Sequence, residues 1–401
     1  MIEQLYSLTI FRNLYDSCLF KAIIELYDCS IYDKSKQETL SKYCALVNVV
    51  YDQGNGNISD LVLKLVSEDD NIYIRRMAKD HKISSEIEHA LKRDLLILNN
   101  LSTSHGRDLI GSEFSDTNLP DWDTSNIDLF RSYRKTIKNV NKLGFGEYAK
   151  HNVFRVKEGK LYPVNNPDPQ SLDQLYEYKS NISRLHDNTV AFLNGVDASN
   201  ALLYGAAGTG KSSTVKAVCN SLFKQGLRLI ELDTDQIKYI PDILEQLEET
   251  PLKFILFIDD LSVSATDERF CMLKGILEGK SSSYSDNTLI YVTSNRRHMI
   301  DESHSDRINS SVHLSDTLQE NMSLASRFGL TLTYLKPGKD TYISIVKHLA
   351  REIDLNVPTD ELILGAEAYA LRQNGRSPRT AKQFIKHLLV ENSKNKPTPT
   401  I

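Results

Sequence analysis

The chain has 401 residues, 40% of them apolar and 25% charged, with a formal net charge of −5. That length allows two or three domains with an ample core, and the acidic balance argues against a strongly basic nucleic-acid binder while leaving a local basic groove open. The five cysteines (Cys18, Cys29, Cys44, Cys219 and Cys271) make no C-x-x-C pair. They read as reduced thiols, mostly small buried hydrophobes, in a reducing compartment. No apolar run approaches the ~18 residues of a membrane span. The opening MIEQLYSLTIFRNLYDS lacks a basic, continuously apolar leader, so a cytoplasmic protein without membrane contact is expected.

Residues 1–101 are predicted to form a helical N-terminal domain. Leu5, Leu8, Tyr15, Cys18, Leu19, Ala22, Ile23 and Leu26 recur near helical spacing. Leu40, Tyr43, Cys44, Val47 and Val50 mark a second stripe, which the turn Asp52–Asn57 stops. Ser85 with Glu88 reads as a capping box, and Arg75, Arg76, Lys79 and Lys82 as a solvated face. Residues 102–164 hold a polar linker with the only tryptophan, Trp122, then a helix over Leu129–Val140 and a β-hairpin over Phe154–Val164.

From 165 to 336 the pattern is that of an α/β domain. A Pro-marked turn (Asn165–Tyr178), which Ser171 can cap, enters a helix. The segment ALLYGAAGTGKSS (201–213) then carries G-x-x-x-x-G-K-[ST] between a short apolar strand and a helical pattern. Its glycines let backbone N–H groups converge on phosphate oxygens, and the helix N-terminus adds partial positive charge. The loop residues Gly205, Ala206, Ala207, Gly208, Thr209, Gly210, Lys211, Ser212 and Ser213 are therefore expected to bind a nucleoside triphosphate, with Lys211 on the β/γ-phosphates and the Ser212 hydroxyl on Mg²⁺.

Strands are predicted at Leu227–Leu232, Lys253–Asp260, Thr288–Asn295 and Leu330–Leu335, with helices at Ile240–Glu249 and Arg269–Gly279. Alternation of this kind implies a parallel, doubly wound sheet with its ligand beyond the carboxyl ends of the strands. Residues 337–391 read as a helical lid (Tyr342–Ile353, Thr359–Arg372, Pro378–Val390) and 392–401 as a disordered polar tail.

Five positions fall where phosphate chemistry needs them. Asp259 ends an apolar strand and can hold Mg²⁺, and Asp260 beside it can polarise the attacking water. Asn295 ends the next strand, where it can orient that water. Arg327 precedes the last strand and can reach a neighbouring subunit's γ-phosphate. Arg379 stands at a helix start that Gly375, Ser377 and Pro378 set up, with Arg376 as its competitor.

GAAGTGKSS, FILFIDDLS, YVTSNRRH, SRFGL and GRSPRTAKQF together resemble an AAA+ ATPase module: Walker A, Walker B, sensor 1, arginine finger and sensor 2. More closely, the stretch from about Asn165 to Leu389 resembles an uncharacterised bacterial family of P-loop ATPases known as a domain of unknown function. KRDLLILNNL (92–101) extends that likeness, and SRFGL and SPRTA are similar to the branch-migration motor and initiator-type modules. The resemblance implies ATP and Mg²⁺ as ligands and a homo-oligomer with sites shared between subunits. It places Asn295 as sensor 1, Arg327 as the finger, Arg379 as the sensor 2 arginine and Pro167–Tyr178 along the adenine pocket. Two positions depart from it: Asp260 stands where most modules have Glu, and Glu177 where glycine usually precedes Tyr178.

Two functions compete. One is an ATPase that remodels or moves a macromolecular partner, nucleic acid or protein. The other is an ATP-dependent binding switch with slow turnover, recruiting partners through the helical N-terminal region. A small-molecule kinase ranks below both, since Asn295, Arg327 and Arg379 have no place in it. Arg296, Arg297 and His298 can touch a phosphate backbone, but they lack interleaved aromatics.

Overall fold

The computed structural model describes residues 2–31, 35–110, 114, 117–261, 267–278, 286–295, 326–355, 357–373 and 375–394. The chain divides into two compact units, Met1–His151 with Glu248–Leu252, and Asn152–Leu247 with Lys253–Ile401. Of the expected tail (392–401), residues 392–394 continue the last helix, while 395–401 and Arg296, Arg297 and His298 lie outside the described residues.

The first unit is helical: α1 (Ile2–Leu5), α2 (Cys18–Ile31), α3 (Lys36–Gly54), α4 (Ile58–Glu68), α5 (Ile72–Ala78), α6 (Ser85–Ser102), α7 (Leu129–Lys138), α8 (Val140–Leu143) and α9 (Glu147–Lys150). The predicted stripes supply its core: Leu5, Leu8, Leu19, Ile23 and Leu26 from one, Tyr43, Val47 and Val50 from the other. Cys18, Cys44 and Cys271 depart from expectation. They are exposed, and only Cys29 and Cys219 are buried. The DQGNGN turn ends α3 with Asn55 in the left-handed region (φ 49°), and the Asn57 side chain caps α4. The cap of α6 falls one residue earlier than predicted. Ser84 accepts the Ile87 N–H, while Glu88 accepts the Tyr73 hydroxyl at 2.8 Å.

The polar stretch around Trp122 is packed rather than free. Trp122 is buried, and its Nε1 donates to the Ser104 carbonyl at 2.9 Å. Asp94 is fully buried, an expensive place for a carboxylate without donors. The Thr9 and Ile10 N–H groups supply them, each at 2.7 Å, pinning the N-terminal segment onto α6.

The second unit is built on a seven-stranded sheet of β1 (Val153–Lys157), β2 (Lys160–Pro163), β3 (Ala201–Gly205), β4 (Leu227–Leu232), β5 (Lys253–Ile258), β6 (Thr288–Ser294) and β7 (Leu330–Tyr334), in the order β2-β1-β4-β5-β6-β3-β7. Every neighbouring pair is parallel except β1 with β2. The predicted hairpin forms through Glu158 (φ 49°) and Gly159 (φ 75°), the paired positive φ values of a tight hairpin turn. It extends the sheet beside β4.

Helices α10 (Lys179–Leu193), α11 (Lys211–Leu222), α12 (Ile240–Leu247) and α13 (Glu268–Leu277) accompany the strands. Apolar faces such as Leu203, Ile255 and Phe257 are buried against Val215, Val218 and Leu222 of α11, each worth about 1.5–3 kcal/mol in burial. The lid is α14 (Lys339–Glu352), α15 (Thr359–Arg372) and α16 (Pro378–Lys394), closed around Tyr342, Val346, Ala366, Ala381 and Phe384. This is the expected architecture, a mostly parallel sheet carrying the phosphate loop and followed by a helical lid. Among the described residues no helix is long and apolar enough to cross a membrane.

Candidate nucleotide site

β3 lies between β6 and β7, so the loop that follows it emerges at the carboxyl edge, where an open α/β sheet takes its ligand. The turn depends on glycine. Gly205 has φ 132°, and a Cβ there would collide with the Tyr334 carbonyl on β7. Gly208 (φ 76°) faces the lid, where an added Cβ would lie 3.0 Å from Ser377 Oγ. Gly210 (φ 98°) hands the chain into α11, whose first residue is Lys211.

Lys211 is only 5% exposed. Its Nζ donates to the Gly205 and Ala206 carbonyls at 3.0 and 2.9 Å and to Asn295 Oδ1 at 2.7 Å. Burial lowers its pKa from the ordinary lysine value; Asp260 and Asp259 pull it back up, and Arg379 adds to the lowering. The ammonium is thus parked on carbonyls that a phosphate can replace.

Asp259 and Asp260 follow β5. Asp259 Oδ1 accepts the Ser212 hydroxyl at 2.6 Å and the Thr293 hydroxyl at 2.5 Å. Asp260 has φ 53°, a strained conformation for a non-glycine residue. Its N–H donates to Thr293 Oγ1 at 2.8 Å, and its Oδ1 accepts the Asn295 Nδ2 at 2.6 Å. Sequence reasoning missed Thr293, which holds the Asp259 carboxylate and the Asp260 N–H. Its signal is the switch from the apolar residues of β6 to hydroxyls at Thr293 and Ser294, just before Asn295. Ser212 and Asp259 are hard oxygen donors side by side. That set suits Mg²⁺, which takes one or two protein oxygens and completes its shell with water and substrate phosphates.

The lid closes the cleft from the other side. Ser377 Oγ accepts the Thr380 N–H at 3.1 Å, capping α16 behind Pro378. The Arg379 N–H donates to the Gly208 carbonyl at 3.2 Å, and its side chain lines the cleft. Arg376 does not compete. It forms a bidentate pair with Glu367 at 3.0 and 2.6 Å. Tyr178 has φ 62° and packs its ring 4.7 Å from that of Tyr334. Its hydroxyl donates to the Leu335 carbonyl, and burial pushes its pKa up to about 12, with Glu177 adding to the rise. Together these groups enclose a cleft of about 480 Å³.

The structure brings Lys211, Ser212, Asp259, Asp260, Asn295, Arg379 and Tyr178 to this one cleft. Arg327 stands apart from it. Its Nη2 lies 3.0 Å from Glu278 Oε1 at the end of α13, with the arginine side chain 44% exposed.

Residues 148–392 match the family described as "Protein of unknown function (DUF815)". The chain belongs to this family. The DUF815 region thus contains the whole sheet, the cleft and the lid up to residue 392. No match was found among curated protein sequences. Among solved structures, the RuvB Holliday junction branch migration motor of Thermotoga maritima is similar at 18% identity and a TM-score of 0.38. The matched stretch covers 57% of this chain and 66% of that one, just under two thirds of its length. AMPPCP-bound DnaA from Aquifex aeolicus is similar at 18% identity and a TM-score of 0.39, covering 57% and 68%.

Proposed function

We propose that the protein binds and hydrolyses Mg·ATP in the cleft between the P-loop sheet and the lid, and uses the cycle to remodel or move a macromolecular partner. The observation that carries this reading is the convergence of a phosphate loop, paired carboxylates, a polar strand end and a lid arginine on one cavity.

The roles follow from chemistry and position. Backbone N–H groups of Gly208–Ser212 cradle the phosphates, and Lys211 leaves its carbonyl partners for the β/γ-phosphates. Ser212 and Asp259 would hold Mg²⁺, which when bound would supply positive charge to the phosphate oxygens. Asp260 accepts the proton of the attacking water, and Asn295 orients that water. Arg379 holds the lid to the bound phosphates. Leu175, Tyr176 and Tyr178 wall the base end of the cleft.

Arg327 acts in trans in a homo-oligomer. Its absence from the lining of its own cleft and its partly exposed guanidinium support that assignment. The test is ATP turnover against protein concentration for wild type and Arg327→Ala. Turnover per subunit is expected to rise with concentration and to collapse in the variant. Concentration-independent turnover that Arg327→Ala leaves unchanged overturns the shared site.

One observation favours the alternative, an ATP-dependent switch with slow turnover. Asp260 is one methylene shorter than Glu, sits at φ 53°, and is held by Asn295 at 2.6 Å. Partner capture by Asp260→Asn with ATP, with ADP and without nucleotide separates the two. Equal capture in all three states rejects the switch.

A further inference from the structure

We propose that Lys382 and Lys386, one and two turns beyond Arg379 on α16, are nucleotide-binding residues that make lid closure depend on nucleotide charge. This rests on the Mg·ATP reading above and deepens it.

Both side chains line the same cleft as the phosphate loop. Their spacing from Arg379, three and seven residues, puts all three cations on one helix face, along about 10 Å of axis. The opposite face, Ala381, Phe384 and Ile385, is buried in the lid core, so α16 cannot turn its cationic face away without unpacking the lid. The start of the helix is tied to the phosphate loop by the bond from the Arg379 N–H to the Gly208 carbonyl. Neither lysine is paired with a carboxylate among the described residues, whereas Arg376 on the same loop is fully engaged by Glu367.

Charge balance decides what they do. The cleft lining carries four cations, Lys211, Arg379, Lys382 and Lys386, against three carboxylates, Glu177, Asp259 and Asp260. Without the two lysines, three carboxylates would face two cations, and the cavity would repel Mg·ATP, itself a net anion. With them the sign reverses. Lysine suits the task, since an ammonium on a flexible four-carbon stem follows a ligand as the lid moves. Opposite charges separated by a few ångströms of partly screened cleft attract measurably, and added salt weakens that attraction. The lid is therefore drawn down in proportion to the charge on the nucleotide beneath it.

The experiment is a titration of the full chain with a fluorescent ATP analogue in Mg²⁺, displaced by ATP or AMP, at low and high salt. Lys382→Gln and Lys386→Gln are each expected to raise the Kd for Mg·ATP about fivefold, and the double variant by about twentyfold. The loss is expected to be smaller for AMP and to shrink at high salt. Lys347→Gln, a lid lysine outside the cleft, is expected to bind as wild type does. Both target side chains are exposed, so the variants fold, which circular dichroism verifies. Wild-type affinity with unchanged salt dependence in the double variant overturns this inference alone. Failure of the folded wild type to bind Mg·ATP overturns the nucleotide reading and this inference with it.

Discussion

Ser212 Oγ donates to Asp259 Oδ1 at 2.6 Å, joining the start of the phosphate-loop helix to the carboxyl end of β5. Under the proposed reading these two oxygens would hold Mg²⁺ against the nucleotide phosphates. Asp259→Asn is expected to leave the fold intact and to raise the Kd for ATP at least tenfold in the presence of Mg²⁺. Chelation by EDTA is expected to do the same to wild type and to add little to the variant. Equal ATP affinity of wild type with and without Mg²⁺ contradicts the assignment. The measurement is a nucleotide titration with and without EDTA.

Lys211 has its pKa lowered by burial, and this fixes the sign of two pH effects. Between the lowered folded value and the ordinary value, the unfolded chain binds more protons than the folded one. The stability of the free protein therefore rises with pH across that window. ATP affinity moves the opposite way, since only the protonated ammonium pairs with phosphate. ATP affinity is expected to start falling at a pH below the ordinary lysine value, and Lys211→Met, which carries no titrating ammonium, to lose both trends. Titrations and thermal melts across pH 7 to 10 measure them. A wild-type affinity that stays flat over that range contradicts the placement of Lys211.

Much of this was legible from residue spacing. The phosphate loop, the paired aspartates at a strand end and the lid helices announce themselves through local rules, glycine where φ must be positive and apolar runs where both sheet faces are covered. Other features depend on partners distant in sequence. Nothing near Thr293 shows that it holds Asp259 and the Asp260 N–H, because those partners follow the neighbouring strand, more than 30 residues earlier in the chain. Arg376 and Arg379 look equivalent until Glu367, nine residues before Arg376, claims one of them. The hairpin's place beside β4 and the packing of Trp122 on Ser104 are likewise tertiary facts.

Gly205 shows how closely the loop and β7 are matched. With φ 132° and the Tyr334 carbonyl against its α-carbon, no side chain fits. The same carbonyl accepts the Ala206 N–H at 2.9 Å. Gly205→Ala is expected to destabilise the protein by about 2–4 kcal/mol, from strain and displaced strand pairing, and to abolish ATP binding. Gly195→Ala, in a turn with open space around it, carries only the φ penalty, about 1 kcal/mol, and is expected to bind ATP normally. Thermal melts with and without Mg·ATP distinguish the two. Normal ATP binding by Gly205→Ala contradicts the close fit.

The Arg327–Glu278 pair separates a trans-acting finger from a surface ion pair. If Arg327 serves a neighbour, Arg327→Ala lowers turnover by about 10³-fold or more, while Glu278→Gln, which releases the guanidinium, leaves turnover equal to wild type or above it. A surface ion pair predicts the same small effect, below about 1 kcal/mol of stability, for both variants and no change in turnover.

The most direct measurement is phosphate release from Mg·ATP by wild type, Lys211→Ala and Asp260→Asn, read beside ATP binding by the same three proteins. The account predicts that wild type binds and hydrolyses, that Lys211→Ala does neither, and that Asp260→Asn binds with near wild-type affinity while turnover falls by about 10²–10⁴-fold. ATP turnover by Lys211→Ala at the wild-type rate, or equal turnover by wild type and Asp260→Asn, would contradict it.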